Sequence, residues 1–207
     1  MKVSRSQLHH PYVVGNRTYL RGFEKKDLAG KFFNWANDPA VTHFLFMGTK
    51  PNMLENLEDW YEHMRKDPTE TLFMICDKKN SQPIGFCGIH RIEWVSRTAE
   101  YRIFIGEKDY WRKGIGQEAG KLLIRYGFEK LNLNKIWLGV NADHKAGIKS
   151  YHHLGFVDEG VLRSEIYRNS KYYDAVRMSI LRDEYYGMLK TAWDKEILNP
   201  AEAFAAA

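Results

Sequence analysis

Cysteine is scarce in this chain: two in 207 residues, Cys76 and Cys87, each inside an apolar run ("FMICD", "GFCGI"). Two such thiols exclude a disulfide framework and point to a reducing, cytoplasmic setting. No stretch approaches the roughly 18 to 20 continuous apolar residues of a membrane span. The opening "MKVSRSQLHHPYVVGNRTY" lacks the apolar centre of a secretory signal. Internal repeats and low-complexity linkers are missing too, and 44% apolar residues suit one folded domain. The eight histidines include neighbours at 9–10 and 152–153. Neither pair has the i, i+4 or C-x-x-C spacing of zinc ligands, so no metal is expected. A net charge of +5 and a pI of about 9.0 admit an anionic ligand. No RNA-binding or helix-turn-helix signature accompanies that charge, so neither nucleic acid nor membrane is an expected partner.

What is present is an alternation of strand and helix signals, which predicts a mixed α/β (α+β) domain. A first strand is expected over 17–23. Helices are expected over 25–38, stopped by Asp38-Pro39, and over 52–67, stopped by Pro68. Strands over 71–77, 83–93 and 98–106 read as an antiparallel meander. A helix over 115–131, a buried strand over 134–141 and a helix over 145–154 closed by Gly155 follow. The segments 156–168 and 171–181 read as a hairpin about "NSK". The residues 188–200 predict a last helix.

The stretch "YWRKGIGQEAG" (110–120) sets two glycines and two cations at the mouth of the 115–131 helix. A first helical turn leaves about four N–H groups without intrahelical partners and carries roughly half a positive charge. Glycines there let the backbone approach a ligand closely, so the pattern reads as an anion cradle. The run GxxxxGK[ST] of a phosphate loop does not occur. "GIGQEA" matches a dinucleotide fingerprint formally, but that turn should follow its strand at once, and here "EKDYWRK" intervenes.

The same turn, followed by "HKAGIKSYHHLGF", resembles the GCN5-related N-acetyltransferase (GNAT) family, with its Q/R-x-x-G-x-G/A and N-x-x-A-x-x-x-Y-x-x-x-G-F segments. "YLRGFEKKDLAGKFFNWANDPAVTHF" is similar to the opening of the branch holding ribosomal-protein and spermidine acetyltransferases. "GFVDEGVLRSEIYRNSKYYDAVRMSIL" is similar to its closing hairpin. The resemblance spans about 17 to 185. It implies an extension over 1–16, an acetyltransferase domain over 17–185, and a helical tail over 186–207. Its fold would be a mostly antiparallel twisted sheet of about seven strands flanked by helices.

The resemblance also implies acetyl-CoA as cosubstrate. Trp111, Arg112, Lys113, Gly114, Ile115 and Gly116 would hold its diphosphate, and Asn141, His144 and Ala146 would lie along the pantetheine. Two positions depart from the pattern: Trp111 replaces the basic or amide residue, and His144 replaces an asparagine. Amides of the fourth strand, at Phe104, Ile105 and Gly106 beside a bulge, would polarise the acetyl carbonyl. An alkylammonium must lose its proton before attack; Glu100, through a water, is the candidate base, and Glu93 is a weaker one. Tyr151 matches the family's general acid for the departing thiolate. A covalent route through Cys76 or Cys87 lacks a histidine base by motif.

Acceptor candidates are Trp35, Asn37, Phe44, His90 and Tyr172. The loop "VTHFLFMGTKPNM" has no carboxylate, which counts against a polyamine. A small-molecule amine of amino sugar or polyamine type is preferred, and protein N-termini stay open. A non-catalytic acyl-CoA-binding module is the alternative from another class. The apolar closing hairpin and the tail carrying Trp193 lead to the expectation of a homodimer.

Overall fold

Eight strands form one sheet in the order β1-β2-β3-β4-β5-β6-β8-β7 in a computed structural model that describes residues 8–189. They are β1 Val13–Val14, β2 Thr18–Gly22, β3 Phe73–Asp77, β4 Pro83–Glu93, β5 Thr98–Ile105, β6 Lys135–Asn141, β7 Val157–Arg168 and β8 Lys171–Leu181. The expected meander is β3-β4-β5, antiparallel throughout. The strand beyond the expected seven is β1, from the segment read as an extension. Val13 and Val14 are buried and pair with Leu20 and Tyr19, so the sheet begins before residue 17.

Period-two alternation sends side chains to two cores. On one face Ile75, Cys87, Ile89 and Tyr101 meet Ala119, Leu122 and Leu123 of α5 (Ile115–Arg125). On the other, Met74, Cys76 and Phe86 meet Leu28, Phe32 and Trp35, with Leu57 of α4 (Leu54–Met64). A π turn over Tyr126–Lys130 ends the predicted 115–131 helix. Helix α6 (Lys145–His153) and helix α7 (Arg182–Met188) complete the first face. The hairpin turn sits at Asn169 and Ser170, both at positive φ as a two-residue hairpin loop requires.

The predicted 25–38 helix is broken into α1 (Lys25–Asp27), a π turn (Leu28–Phe32) kinked at Gly30, and α2 (Phe33–Ala36). Asp38-Pro39 does not simply stop it. The Asp38 side chain accepts from the Ala40 amide, and Pro39 opens a new short helix, α3 (Pro39–Thr42), the position where proline's missing N–H is harmless. The last predicted helix begins within α7; Trp193 and the rest of the tail lie outside the described residues.

A buried ion pair fastens α1 to β2. Arg21 donates twice to Asp27, at 2.7 Å each, and Asp27 also accepts from the Glu24 amide. The two side chains are 4% and 6% exposed. Removing one partner strands the other charge away from water, so Asp27→Ala should lower unfolding free energy by about 3 to 5 kcal/mol. Urea unfolding checks this; a change within about 0.5 kcal/mol would mean water reaches the pair.

Candidate active site

The sheet opens where β5 and β6 part. These are its one parallel pair, joined only from Thr98–Lys135 to Glu100–Trp137. Beyond that β5 continues to Ile105 beside β4, and β6 continues to Asn141 beside β8. A V-shaped cleft results, and backbone groups of β5 on that side have no strand opposite. The Gly106 amide donates to the Ile84 carbonyl (2.9 Å), so it faces β4. Alternation turns Phe104 the same way, its carbonyl lying against Gly85. The amides of Ile103 and Ile105 therefore face the cleft. Of the expected donors only Ile105 holds this position; Phe104 and Gly106 do not, and Ile103 joins it. The β4–β5 register runs unbroken from Gly85–Ile105 to His90–Glu100, and just past it the amides of Gly106 and Glu107 both donate to the Ile84 carbonyl (2.9 and 3.1 Å), the pattern of a bulge at the end of the strand. The two strands already diverge beyond Glu100–Trp137, before that bulge is reached.

The glycine turn lies just beyond. Arg112 and Gly114 both have positive φ (58° and 74°), and Gly114 is the N-cap of α5. Glu118 is the first residue to donate back, to the Gly114 carbonyl at 3.1 Å. The amides of Ile115, Gly116 and Gln117 thus form the unpaired mouth of the helix. A Cβ added at Gly116 would meet only Ile105 Cγ1, at 3.5 Å; packing alone does not demand glycine there. Arg112 and Lys113 are exposed beside it. Trp111 serves the backbone instead. Its indole N–H donates to the Ile105 carbonyl (2.8 Å), satisfying one group that the parting of the strands leaves free.

On the opposite wall, Asn141 ends β6, and its side-chain oxygen accepts from the Asp143 amide, shaping the loop into α6. His144 caps that helix, its ring folded over Gly147, where a Cβ would fall 2.3 Å from it. Burial, with His43 adding to it, holds the His144 pKa below the ordinary histidine value. Ala146 is exposed in the first turn. Tyr151 leans toward β5, its ring centroid 6.1 Å from that of Tyr101 and 6.0 Å from that of Phe156. Burial pushes its phenol up to about 12.

Glu100 stands at the vertex of the V. Both its oxygens accept from Arg102 (3.0 and 2.7 Å), and Arg91 lies 3.5 Å away. That geometry argues against direct proton abstraction and leaves a path through water. Its cross-strand neighbour His90 is buried, with Nδ1 bonded to Glu70 and Nε2 unpartnered.

The acceptor candidates separate. Phe44 stacks on His144 with centroids 4.1 Å apart, joining the loop after α3 to the start of α6. Trp35 lies across Gly106, where a Cβ would fall 2.0 Å from its ring, and donates to Glu107 (2.9 Å). Asn37 instead uses its side chain on Phe33 and Asn52, bracing the loop. Tyr172 is exposed near the hairpin turn against Tyr167. A polar pocket of about 280 Å³ beside Trp35 and Gly106 is lined by Asp38, Glu107 and Asp109 with Lys31 and Lys108. Lys31 pairs with Glu107 (3.3 Å) and Lys108 with Asp38 (2.6 Å). These acids come from two separate segments, so the loop alone could not announce them.

Sequence reading also missed Glu70 and Glu118. Glu118, in the first turn of α5, accepts from the amides of Arg17 and Thr18 and from the Thr18 hydroxyl. Cys76 and Cys87 are fully buried; burial pushes the Cys76 thiol up to about 11 and raises that of Cys87 well above its usual range. Neither is a poised nucleophile. His9 and His10 do meet Glu24, but the Lys26 ammonium sits among them, 3.1 Å from His9 Nε2 and 2.5 Å from Glu24.

Residues 17–157 match the model of the acetyltransferase (GNAT) domain family. The spermidine N(1)-acetyltransferase of Escherichia coli (strain K12) is 34% identical over 173 residues, covering 83% of this chain and 90% of that protein. A crystal structure of spermidine N-acetyltransferase from Vibrio cholerae in complex with CoA and spermine superposes with TM-score 0.76. It is 30% identical, covering 82% of this chain and 98% of that one. A dodecameric structure of the Vibrio cholerae enzyme gives TM-score 0.70 at 29% identity, covering 82% and 96%.

Gly116 separates a packing role from a ligand role. Gly116→Ala should leave the melting temperature unchanged or slightly raised, because alanine favours helix. Coenzyme A affinity, read by calorimetry, should fall about 10-fold or more as the methyl fills the helix mouth. Unchanged affinity would remove the ligand from that mouth.

Proposed function

Given that the chain belongs to the GNAT acetyltransferase family and is an acetyl-CoA-dependent N-acetyltransferase, we propose that it acetylates a primary amine of a small aliphatic polyamine directly at the β5–β6 cleft. The observation that carries this reading is the pair of outward amides, Ile103 and Ile105, on a strand whose neighbour has turned away. The cofactor fits the residues present: an open helix mouth with glycine at 116, where a Cβ has room, lying beside Ile105, whose amide faces the same cleft. When bound it supplies an acetyl thioester.

The α5 mouth, with Arg112 and Lys113, holds the diphosphate, and the wall at Asn141, His144 and Ala146 orients the pantetheine. Ile103 and Ile105 donate to the acetyl oxygen as negative charge grows there, in a place already organised for it. Glu100, clasped by Arg102, orders a water that takes the ammonium proton. Tyr151 holds a proton for the sulfur, and a phenol raised by burial keeps it at neutral pH. Trp35, Phe44 and the pocket acids Asp38, Glu107 and Asp109 receive the chain of the acceptor, where lysine ammonium groups now sit.

Two observations support a polyamine over an amino sugar or peptide: the relatives named for spermidine, and pocket carboxylates already paired with lysine ammonium groups. A homodimer is part of the same proposal. Strand β7 is a sheet edge exposed along nearly its whole length, with Val157, Val161 and Leu162 54%, 57% and 36% exposed. The cytoplasm is the proposed setting, supported by two free thiols and the donor it uses; no described helix is long and apolar enough to cross a membrane.

Thiol release from acetyl-CoA should be fastest with polyamines in a panel that includes amino sugars, aminoglycosides and N-terminal peptides. Turnover of one of the latter classes with none for polyamines would overturn the acceptor assignment. Tyr151→Phe should lower kcat about 100- to 10,000-fold while coenzyme A affinity holds. Because the phenol is raised to about 12, it stays protonated as pH rises, so kcat should show no alkaline loss from about pH 8 to 10. A decline centred near pH 10 would deny Tyr151 its buried state. Sedimentation at micromolar concentration should find a dimer or larger species; a lone monomer would remove that part.

A further inference from the structure

The turn that opens α5 carries tryptophan at position 111, where the family pattern has a basic or amide residue, yet a guanidinium reaches the same turn from elsewhere. Arg17, just before β2, donates Nη1 to the Lys113 carbonyl (2.8 Å) and Nε to Glu118 (2.9 Å). Its own amide donates to the second Glu118 oxygen (2.7 Å). Arg17 Nη2 lies 3.3 Å from where a Cβ would stand on Gly114. A half-exposed arginine, whose side chain is 52% exposed, is thereby fixed flat against the glycine turn from 96 residues away.

We propose that Arg17 is a diphosphate-binding residue of the coenzyme site, supplying from β2 the charge that position 111 does not. The inference rests on the reading that the α5 mouth holds the diphosphate. Two of the three guanidinium nitrogens are fixed by Lys113 and Glu118, which aims Nη2 along the turn toward the open mouth. An arginine so held loses little further freedom on meeting a phosphate oxygen. The arrangement also answers an electrostatic problem. Glu118 sits in the first helical turn, where its negative charge would repel a diphosphate, and the Arg17 guanidinium and three other donors from 17–18 face that charge instead.

Calorimetry with coenzyme A and with pantetheine, which lacks the diphosphate, tests the assignment in the full chain. Arg17→Gln should weaken coenzyme A about 10- to 100-fold and leave pantetheine unchanged. Arg17→Lys should fall between, and Glu118→Gln should bind coenzyme A as well as the parent or better. A structural staple alone would behave differently. Both ligands would then weaken together, the melting temperature would fall in step, and Glu118→Gln would match Arg17→Gln. That pattern overturns the proposal. If the parent chain itself binds the two ligands equally, the diphosphate reading of the helix mouth fails. If the parent prefers coenzyme A and Arg17→Gln keeps the full preference, only the role of Arg17 fails.

Discussion

Three residue pairs hold β5 to β6, and the rest of the molecule is arranged around the place where that pairing stops. A sheet normally satisfies each backbone group with a neighbour. Here β4 and β8 continue to grip the two outer sides while the inner sides separate, so the parting is enforced by strands that are fully paired elsewhere. The Ile105 carbonyl, facing the gap, is met by the Trp111 indole. The amides of Ile103 and Ile105 are donors aimed into the same gap, and donors held by a rigid strand need no reorganisation when charge appears before them. Closing the sheet would gain hydrogen bonds and remove the cleft in which the reaction is proposed to occur.

Each wall of the cleft is tied to something distant. The α5 mouth is held against β2 through Glu118, roughly a hundred residues on from its partners Arg17 and Thr18. The end of β5 is covered by Trp35, whose ring lies across Gly106 and whose N–H is bonded to Glu107. The α6 wall meets the loop after α3 through the Phe44–His144 stack. Phe44 and Trp35, the proposed acceptor-side residues, therefore touch α6 and the end of β5 directly. A displacement of the loop would be felt at His144, and a displacement of α2 would be felt one residue from Ile105.

Most strands were legible because their apolar alternation is local. The V was not, since it depends on where two strands 30 or more residues apart stop pairing. The donor set illustrates the limit. Three consecutive residues, Phe104 to Gly106, can be named from a motif, but a strand presents its amides to one side only at every second position. Asp38-Pro39 reads equally as a stop and as a start, and the Asp38–Ala40 bond decides for a start. Asn37 and His90 are polar residues in suitable segments, yet one braces a loop and the other is buried on Glu70. Val13 and Val14 looked like part of an extension because two residues are too few to register as a strand.

The asymmetry between donor and acceptor has the same physical source. The proposed donor site is mostly backbone, so glycines and a helix start mark it in the sequence. The proposed acceptor side is made of side chains from different segments, Asp38 after α2 and Glu107 and Asp109 after β5, which line one pocket beside the Trp35–Gly106 contact. Counting acids in a single loop therefore underestimates the negative charge available. That charge is not bare, because Lys31 and Lys108 already neutralise two of the three acids. On the proposed polyamine reading, an entering alkylammonium replaces an ammonium on the same carboxylate, an exchange of like for like in which net attraction nearly cancels. On that reading, what would distinguish one amine from another is the spacing of its nitrogens against the positions of Asp38, Glu107 and Asp109, so the proposed selectivity is a matter of length before it is a matter of charge.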